Sequence, residues 1–302
     1  MLSLERLRVL HAIDTYGSVS GAAEALRVTT SAISQQMGKL EKETGQQMLV
    51  KSGRGVRLTD AARLLSGHAE RILSMVELAH SELEAHRGAA VGTLAIGTFA
   101  TAARGLFPAA FAALRADHPR LRPHLREMEP SESVPGLMRG DIDLAVVLDW
   151  YNKPLPRPEG LAKAELLDDV VDVAVPSGHR LAGRAEVDLD DFADDDWIAW
   201  PAGEFCHESL LFTMRGKGIE PRIAHFAGEH QTQLAFVAAG LGVAVTPRLG
   251  RGPVPEGVRV IPVRHTLHRH VYAIWRTDAD RRPAVRAMVA ALRAAGAALN
   301  AG

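Results

Sequence analysis

The residues whose types and spacing point most clearly to chemistry lie in a short helix predicted between Thr29, a suitable N-cap, and the terminating pair Thr44-Gly45. One side of this helix is apolar and would face inward: Ala32, Ile33, Met37 and Leu40. The opposite side carries hydroxyl, amide and ammonium groups: Thr30, Ser31, Ser34, Gln35 and Lys39. Hydroxyl and amide groups can read base edges in the DNA major groove, and a lysine farther along can meet a phosphate. The pattern therefore fits a DNA-recognition helix, although a solvated polar face would have the same composition.

The segments around this helix predict a helix-turn-helix followed by a β-hairpin. Apolar residues at helical spacing from Leu4 to Ile13 indicate a first helix that ends at Tyr16-Gly17, and Ser20 can cap a second helix. A turn of about three or four residues would join the second helix to the third, as in a helix-turn-helix. Residues 48–51 and 56–59 then indicate two strands of a wing. Its basic side chains are expected to contact the DNA backbone or minor groove, with an ordinary charged turn as the alternative: Lys51, Arg54 and Arg57.

Residues 60–88 are expected to form a linker helix that dimerises. No proline interrupts residues 60–87. Apolar residues repeat there at alternating steps of four and three: Leu65, Ala69, Ile72, Val76, Ala79 and Leu83. This spacing is that of a heptad seam over about three heptads, and the neighbouring positions are polar. The alternative is a helix that packs this seam against its own chain.

From residue 92 onward, strands and helices alternate. Strands are predicted at 93–97, 121–128, 143–148, 170–176, 197–200, 223–226, 243–246 and 270–275. Helices are predicted at 106–118, 133–139, 209–217, 232–239 and 283–298. Such alternation predicts an α/β domain with a mainly parallel sheet.

Composition and charge exclude several classes of protein. The 302 residues carry a net charge of −1, but residues 1–60 hold 8 basic and 6 acidic side chains, a net of +2 that suits a DNA-binding unit. The single cysteine, Cys206, excludes an intrachain disulfide, and a thiol sensor at this position would lack a resolving partner. No apolar leader core follows Met1 and no stretch is long enough to span a membrane, so we expect a cytoplasmic protein.

An enzyme and a plain solute-binding protein are the alternative classes. Neither a nucleophile elbow nor a phosphate-binding glycine loop is present, because Gly240-Leu241-Gly242 follows a predicted helix, the reverse of a dinucleotide fingerprint. His265, His268 and His270 have nearly metal-binding spacing, but strand alternation turns His265 away from the other two, so we expect neither metal nor cofactor. The N-terminal 90 residues argue against a plain solute-binding protein.

Several segments together resemble the LysR-type transcriptional regulators. In the N-terminal part they are 22–26 (AAEAL), 29–36 (TTSAISQQ), 40–45 (LEKETG) and the wing 51–59 (KSGRGVRLT). In the C-terminal part they are 92–97 (GTLAIG), 140–145 (GDIDLA) and 237–243 (VAAGLGV). The resemblance extends from about residue 2 to 295, and its N-terminal block is the more specific. It implies a sequence-specific, DNA-binding regulator, not an enzyme, that responds to a small-molecule effector.

The resemblance also implies a domain organisation. An all-α winged helix-turn-helix would cover 1–59 and a dimerising linker helix 60–88. An effector-binding domain at 91–302 would have the α/β fold of type 2 periplasmic binding proteins. One lobe of that domain would comprise about 91–162 plus 267–302 and the other about 163–266. Family members bind promoter DNA as homodimers that usually pair into homotetramers.

The effector cleft between these lobes should be lined by strand ends and by the helix N-termini that follow them, where free N–H groups attract anions. The residues at such positions are Thr98, Phe99, Thr101, Ser131, Trp200, Ala202, Phe205, Glu229, His230, Gln231 and Thr246. Helix capping explains Ser131 and Thr101 equally well. The aromatic residues among them suggest an apolar or aromatic portion in the effector.

Overall fold

The computed structural model describes residues 2–52, 55–86, 89–264 and 267–300. The chain divides into two compact units, Met1–Arg87 and Gly88–Gly302. Within the described ranges, no helix combines the length and the apolar character needed to cross a bilayer.

The N-terminal unit is a winged helix-turn-helix followed by a long helix. Its helices are α1 (Leu4–Tyr16), α2 (Val19–Leu26), α3 (Thr30–Thr44) and α4 (Asp60–His86), and its strands are β1 (Leu49–Ser52) and β2 (Gly55–Leu58). Gly17 and Gly45 end α1 and α3 with φ of +67° and +66°, a conformation that glycine adopts without strain. The helices therefore end where the sequence predicts.

The cap of α2 differs from the expectation. Ser18, and not Ser20, precedes the helix, and its Oγ accepts a hydrogen bond of 2.9 Å from the backbone N–H of Gly21. Ser20 lies inside the first turn of α2. The prediction of Ser20 as the cap is wrong because the helix begins two residues earlier, at Val19, and only Ser18 separates it from the glycine that ends α1.

A small apolar core holds the three helices and the hairpin together. Ala22, Ile33 and Leu40 are fully buried in it, and the small side chain of Ala22 lets α2 approach its neighbours closely. The Glu41 carboxylate accepts hydrogen bonds from the backbone N–H groups of Met48 at 2.7 Å and Leu49 at 3.2 Å. These contacts fix the base of the hairpin to α3.

Helix α4 uses its apolar seam in two ways. Near its beginning Ala69 is fully buried and Leu65 packs against the core of the N-terminal unit, so this part of the seam contacts its own chain. Farther along, Ile72 and Leu83 are exposed by 37% and 63%. The intrachain alternative thus holds for the first part, and the second part leaves an apolar face uncovered.

The C-terminal unit contains one large sheet and one small sheet flanked by helices. Its strands are β3 (Gly92–Thr98), β4 (Leu121–Glu127), β5 (Leu144–Trp150), β6 (Leu161–Pro176), β7 (Asp196–Ala199), β8 (Arg222–Phe226), β9 (Ala244–Pro247), β10 (Val258–Ile261) and β11 (Leu267–Arg276). Its helices are α5 (Ala100–Gly105), α6 (Phe107–Asp117), α7 (Pro130–Arg139), α8 (Phe205–Gly216), α9 (His230–Ala238) and α10 (Pro283–Asn300). Short 3-10 turns cover Leu189–Phe192 and Thr277–Ala279.

The large sheet is mixed, which corrects the expectation of a mainly parallel one. Its order is β10-β6-β11-β5-β3-β4, and β9 also pairs with β6. Strand β3 is parallel to β4 and β5, whereas β11 is antiparallel to β5 and β6, and both β9 and β10 are antiparallel to β6. The long strands β6 and β11 run side by side in opposite directions and join the two halves of the sheet, so the centre of the sheet is antiparallel. Local alternation of strands and helices cannot reveal this long-range pairing.

Three elements were missed by the sequence reasoning. They are the short helix α5, the strand β10 and the first half of β6. That half of β6 carries Lys163, Glu165 and Asp168 on a strand that pairs with β11, so charged side chains interrupt its apolar pattern. The helix predicted at 106–118 is α6, and α5 directly precedes it.

Candidate nucleic-acid interface and ligand cleft

Helix α3 presents its polar side to solvent. Thr29 caps it, since its Oγ1 accepts a 3.1 Å hydrogen bond from the backbone N–H of Ala32. All of the outward residues are exposed: Thr30, Ser31, Ser34, Gln35 and Lys39. On the inward side Ile33, Met37 and Leu40 are buried, while Ala32 is half-buried. The face is accordingly free of contacts with the core of its own unit.

Two neighbouring glutamines on α3 have different surroundings. The Gln36 amide donates a 2.9 Å hydrogen bond to the Glu5 carboxylate on α1, and the side chain is half-buried. The Gln35 side chain is exposed and makes no hydrogen bond with the part of the chain that the structure describes. Ser34 donates its hydroxyl proton to the Thr30 carbonyl at 2.9 Å, so its oxygen keeps acceptor capacity. The side-chain carbonyl and NH2 groups of Gln35 are thus both available to contact a base edge.

The wing strands place their basic residues on opposite faces. β1 and β2 pair antiparallel, with Lys51 opposite Val56 and Val50 opposite Arg57. Because side chains alternate along a strand, Lys51 shares a face with Val56, and Arg57 shares the other face with Val50. Both Lys51 and Arg57 are exposed. The third predicted contact residue of the wing, Arg54, lies outside the described residues.

A narrow cleft lies in the C-terminal unit where four helices begin. Phe99 precedes α5, Glu129 precedes α7, Cys206 lies in the first turn of α8, and Glu229 precedes α9. Its volume is about 10 Å³, which corresponds to about one water molecule. Segments that follow strands of the large sheet thus lie close to segments that follow β7 and β8 of the small sheet.

Some of the predicted cleft residues line this cavity and others do not. Those that line it are Phe99, Thr101, Trp200, Glu229 and His230. Thr98 in β3 and Thr246 in β9 are buried, with exposed fractions of 0% and 1%, and do not line the cavity. Ala202 and Ser131 are exposed, while Phe205 and Gln231 are half-buried.

A buried ion pair forms the floor of the cleft. Arg269 on β11 donates to the Asp169 carboxylate on β6 at 2.7 Å, and the two side chains are 2% and 3% exposed. The Arg269 guanidinium also donates to Thr101 Oγ1 at 2.9 Å and lies 5.4 Å from the centre of the Phe99 ring. Asp169 accepts a further bond of 2.7 Å from the backbone N–H of Leu249. The pair therefore connects α5, both central strands and the segment after β9.

Hydrogen bonds join the two sides of the cleft at its rim. Arg104 on α5 donates to the Gly250 carbonyl and to the Glu229 carboxylate, each at 3.1 Å. Ser131 on α7 donates to the Glu204 carboxylate at 3.2 Å. These contacts hold the cleft closed, and Ser131 takes part at the rim and not in the lining.

The ionisable groups of the cleft have shifted pKa values. Burial and the neighbouring Glu204 raise the pKa of Glu129 to about 7. Burial, and to a lesser extent Arg269, lowers the pKa of His230, so its imidazole is neutral. Burial and the charge of Glu129 raise the pKa of the Cys206 thiol to about 12. Because the thiolate is the reactive form, this shift argues against a thiol sensor at Cys206.

The sequence reasoning missed lining residues that depend on long-range contacts. They include Glu129, Leu148, Gly228 and Arg269. Glu129 could have been found, because the following Pro130 stands at the first position of a helix and marks the preceding residue as an N-cap. Arg269 lies between His268 and His270, one residue before the predicted strand 270–275, and this local pattern does not indicate that its partner is Asp169.

A second and larger cavity lies away from these residues. It has a volume of about 210 Å³ and is lined by the end of β5, by α8 and by β11, with Trp150, Thr213 and His268 among its residues. None of the residues predicted for the cleft lines it. His268 is exposed and His270 contacts Asp168, while His265 lies outside the described residues. Among the described residues, no three acidic, histidine or cysteine side chains are arranged to hold a metal ion.

Comparison with known families gives matches over nearly the whole chain. The model described as "Bacterial regulatory helix-turn-helix protein, lysR family" matches residues 4–63. The model described as "LysR substrate binding domain" matches residues 87–297.

Individual proteins agree with the family models. The chain is 28% identical to the uncharacterized HTH-type transcriptional regulator YnfL of Escherichia coli, over 94% of this chain and 96% of YnfL. It is 30% identical to the HTH-type transcriptional regulator ShiR of Corynebacterium glutamicum, over 87% of this chain and 88% of ShiR. Among solved structures, a variant of full-length OxyR from Pseudomonas aeruginosa superposes with a TM-score of 0.67 at 22% identity, covering 97% of this chain and 95% of OxyR.

Proposed function

The chain belongs to the LysR family of bacterial helix-turn-helix regulators, and we propose that α3 reads operator DNA while the cleft of the C-terminal unit senses the effector. The family relationship makes the chain a DNA-binding transcriptional regulator with an effector-binding domain, not an enzyme. The assignment of these tasks to particular residues rests on the geometry of the two sites.

The exposed polar side of α3 carries the proposal for DNA. Its N-terminal half offers Thr30, Ser31, Ser34 and Gln35 to base edges, and Lys39 lies about one turn beyond Gln35, where a phosphate is the natural partner. The exposed Lys51 and Arg57 of the wing, together with Arg54, are assigned to the DNA backbone or minor groove. Since promoter DNA lies in the bacterial cytoplasm, we place the protein there.

A mobility-shift titration with the full chain tests the role of α3. Gln35→Ala should weaken binding to the operator by about 1–3 kcal/mol and relax the preference for operator over random DNA, because a bidentate base contact is lost. Gln36→Ala is the matched control, since this neighbouring amide contacts Glu5 instead of facing outward. Lys39→Ala should weaken binding to all sequences alike and lower the salt dependence. Equal loss of operator binding in the Gln35→Ala and Gln36→Ala variants would contradict the assignment.

Dimerisation through α4 is the second part of the proposal. Beyond the segment that packs on its own unit, α4 exposes Ile72, Met75 and Leu83 by 37%, 64% and 63%. An uncovered apolar face on a long helix favours a partner helix, and two copies of this chain would supply matching faces. We assign the homodimer contact to this face and expect two dimers to form a homotetramer.

The third part concerns the effector. We assign the cleft to the boundary between a first lobe, at about 91–162 plus 267–302, and a second lobe at about 163–266, with the paired strands β6 and β11 as the connection. Four helices begin at the cavity, and hydrogen bonds at its rim close it. A ligand can therefore enter only if the two lobes move apart. Such a movement is what an effector-controlled regulator needs, because a ligand shifts a conformational equilibrium only through its different affinities for the two states.

A further inference from the structure

Glutamate precedes three of the helices that begin at the cleft. Glu129 is the N-cap residue of α7, Glu204 that of α8, and Glu229 that of α9. A helix N-terminus carries partial positive charge and is a common binding position for an anionic ligand. Only Glu229 caps its helix with its carboxylate, which accepts a 3.0 Å hydrogen bond from the backbone N–H of Thr232, whereas Glu129 and Glu204 make no cap hydrogen bond. An incoming carboxylate would nevertheless meet negative side chains beside these helix N-termini.

The charges around the cleft do not balance locally. Glu229 forms an ion pair with Arg104 at 3.1 Å, and Asp169 forms one with Arg269 at 2.7 Å. In the part of the chain that the structure describes, no basic side chain forms an ion pair with Glu129 or Glu204. After burial, repulsion by Glu204 contributes most to the raised pKa of Glu129, and attraction by the nearby Arg269 partly opposes it. The cleft thus holds two acidic groups that a positive charge would stabilise.

A buried histidine adds an unsatisfied polar group to the same cavity. His230 lines the cleft, is only 7% exposed, and its Nδ1 is buried without a hydrogen-bond partner among the described residues. Trp200 holds the ring edge to face, with 4.6 Å between ring centres. A buried polar atom without a partner is costly unless a ligand or water satisfies it. A neutral imidazole accepts a hydrogen bond at one of its nitrogens, and an ammonium group can donate that bond.

From these observations we infer that the cleft binds a small organic ammonium ion, with the charged group between Glu129 and Glu204 and within reach of His230. The apolar part of the ligand packs on Phe99 and Trp200, which line the same cavity. A metal ion fits less well, because the described residues offer no cluster of three metal-binding side chains. This inference rests on the proposed role of the cleft as the effector site and names the chemical class of the effector.

Thermal-shift and tryptophan-fluorescence titrations of the full chain at pH 8 test the inference. The probes are pairs of matched shape, benzylamine with benzoate and n-butylamine with butyrate, and benzyl alcohol serves as the neutral analogue. We expect the amines to raise the melting temperature and the carboxylates to leave it unchanged. Glu129→Gln should weaken amine binding about 10- to 100-fold, because it removes a charge-assisted hydrogen bond. Glu132→Gln removes an exposed carboxylate on the first turn of α7 that makes the smallest contribution to the raised pKa of Glu129, so this control should bind nearly as the wild type does.

Each result has one meaning. Stabilisation by the carboxylates and not by the amines, strengthened in Glu129→Gln, would overturn the ammonium specificity but leave the cleft as the effector site. Amine binding that is unchanged in both Glu129→Gln and Glu204→Gln would locate the ligand elsewhere and overturn the assignment of the cleft as well. No response to any probe would overturn the inference. Operator binding, measured on the same samples, reports separately on the function of α3.

Discussion

Replacing Glu129 by glutamine should make the C-terminal unit more stable at alkaline pH. Burial and the neighbouring Glu204 raise the pKa of this carboxyl to about 7 from its ordinary value of 4.5. The folded state therefore binds the proton more tightly than the unfolded state does. The stability that the protonated carboxyl contributes is present below about pH 4.5 and is lost as the pH rises through about 7.

The size of the effect follows from this shift. A pKa difference of about 2.5 units at about 1.36 kcal/mol per unit corresponds to a loss of about 3 kcal/mol between acid and alkaline pH. Glutamine keeps the shape of the protonated side chain and does not titrate. At pH 8 the variant should thus be more stable than the wild type by up to about 3 kcal/mol, and at pH 5 the two should differ by less than about 1 kcal/mol. For a unit of this size, the alkaline difference corresponds to a melting temperature higher by up to about 6–12 °C.

Tryptophan fluorescence is a selective readout for this measurement. All four tryptophans of the chain lie in the C-terminal unit, at Trp150, Trp197, Trp200 and Trp275. Urea unfolding followed by this signal at pH 5, 6, 7 and 8 gives the free energy of unfolding of that unit. Glu132→Gln controls for the loss of an exposed carboxylate on the same helix. If wild type and Glu129→Gln lose stability in parallel between pH 5 and 8, the carboxyl does not carry a raised pKa and the reasoning fails.

Three further substitutions test other contacts. Arg269→Met should destabilise the C-terminal unit by about 3–5 kcal/mol in urea unfolding, because it leaves the buried Asp169 without its partner; a loss below about 1 kcal/mol would show that the pair is solvated. Gly250→Ala should lower the free energy of unfolding by about 1–3 kcal/mol in the same assay, because a Cβ there would lie 2.1 Å from the Thr101 carbonyl oxygen and Gly250 has a φ of +61°. Gly183→Ala is the neutral control, since no atom lies near the position of its Cβ. Leu83→Asp should convert dimers into monomers in light scattering, whereas a variant that stays dimeric at micromolar concentration would contradict the α4 interface.

Local sequence signals are sufficient to predict features that depend on a few neighbouring residues, such as the two ends of a helix. Thr29 caps α3 and Gly45 ends it because these depend on side-chain and backbone preferences within a few residues. The outward set of α3 follows from helical periodicity alone, since the apolar residues select the buried side. The prediction of one long helix from residue 60 agrees with α4 over Asp60–His86, because no proline interrupts this segment and its apolar residues repeat at helical spacing from Leu65 to Leu83.

Local signals do not predict that the apolar seam of α4 is divided into a buried part and an exposed part. Ala69 and Ile72 both belong to the apolar seam, yet the first is buried by its own unit and the second is exposed. Periodicity identifies the apolar side of a helix but not the surface that covers it. That surface is formed by α1, which folds back on the beginning of α4 from a distant part of the sequence.

The cleft shows the same limit in its electrostatics. The positions of strand ends and helix N-termini in the sequence predict where the cavity lies. General helix electrostatics predict that such a cavity prefers anions. Which sign of ligand charge the site prefers, however, depends on which charged side chains lie at the cleft and which of them have partners. Arg269 reaches Asp169 across 100 residues of sequence, and Arg104 reaches Glu229 across 125, so both cations already form ion pairs through contacts that no local pattern contains. Glu129 and Glu204 are left without such partners, and it is this imbalance, created by the tertiary fold, that turns an expected anion site into a site for a cation.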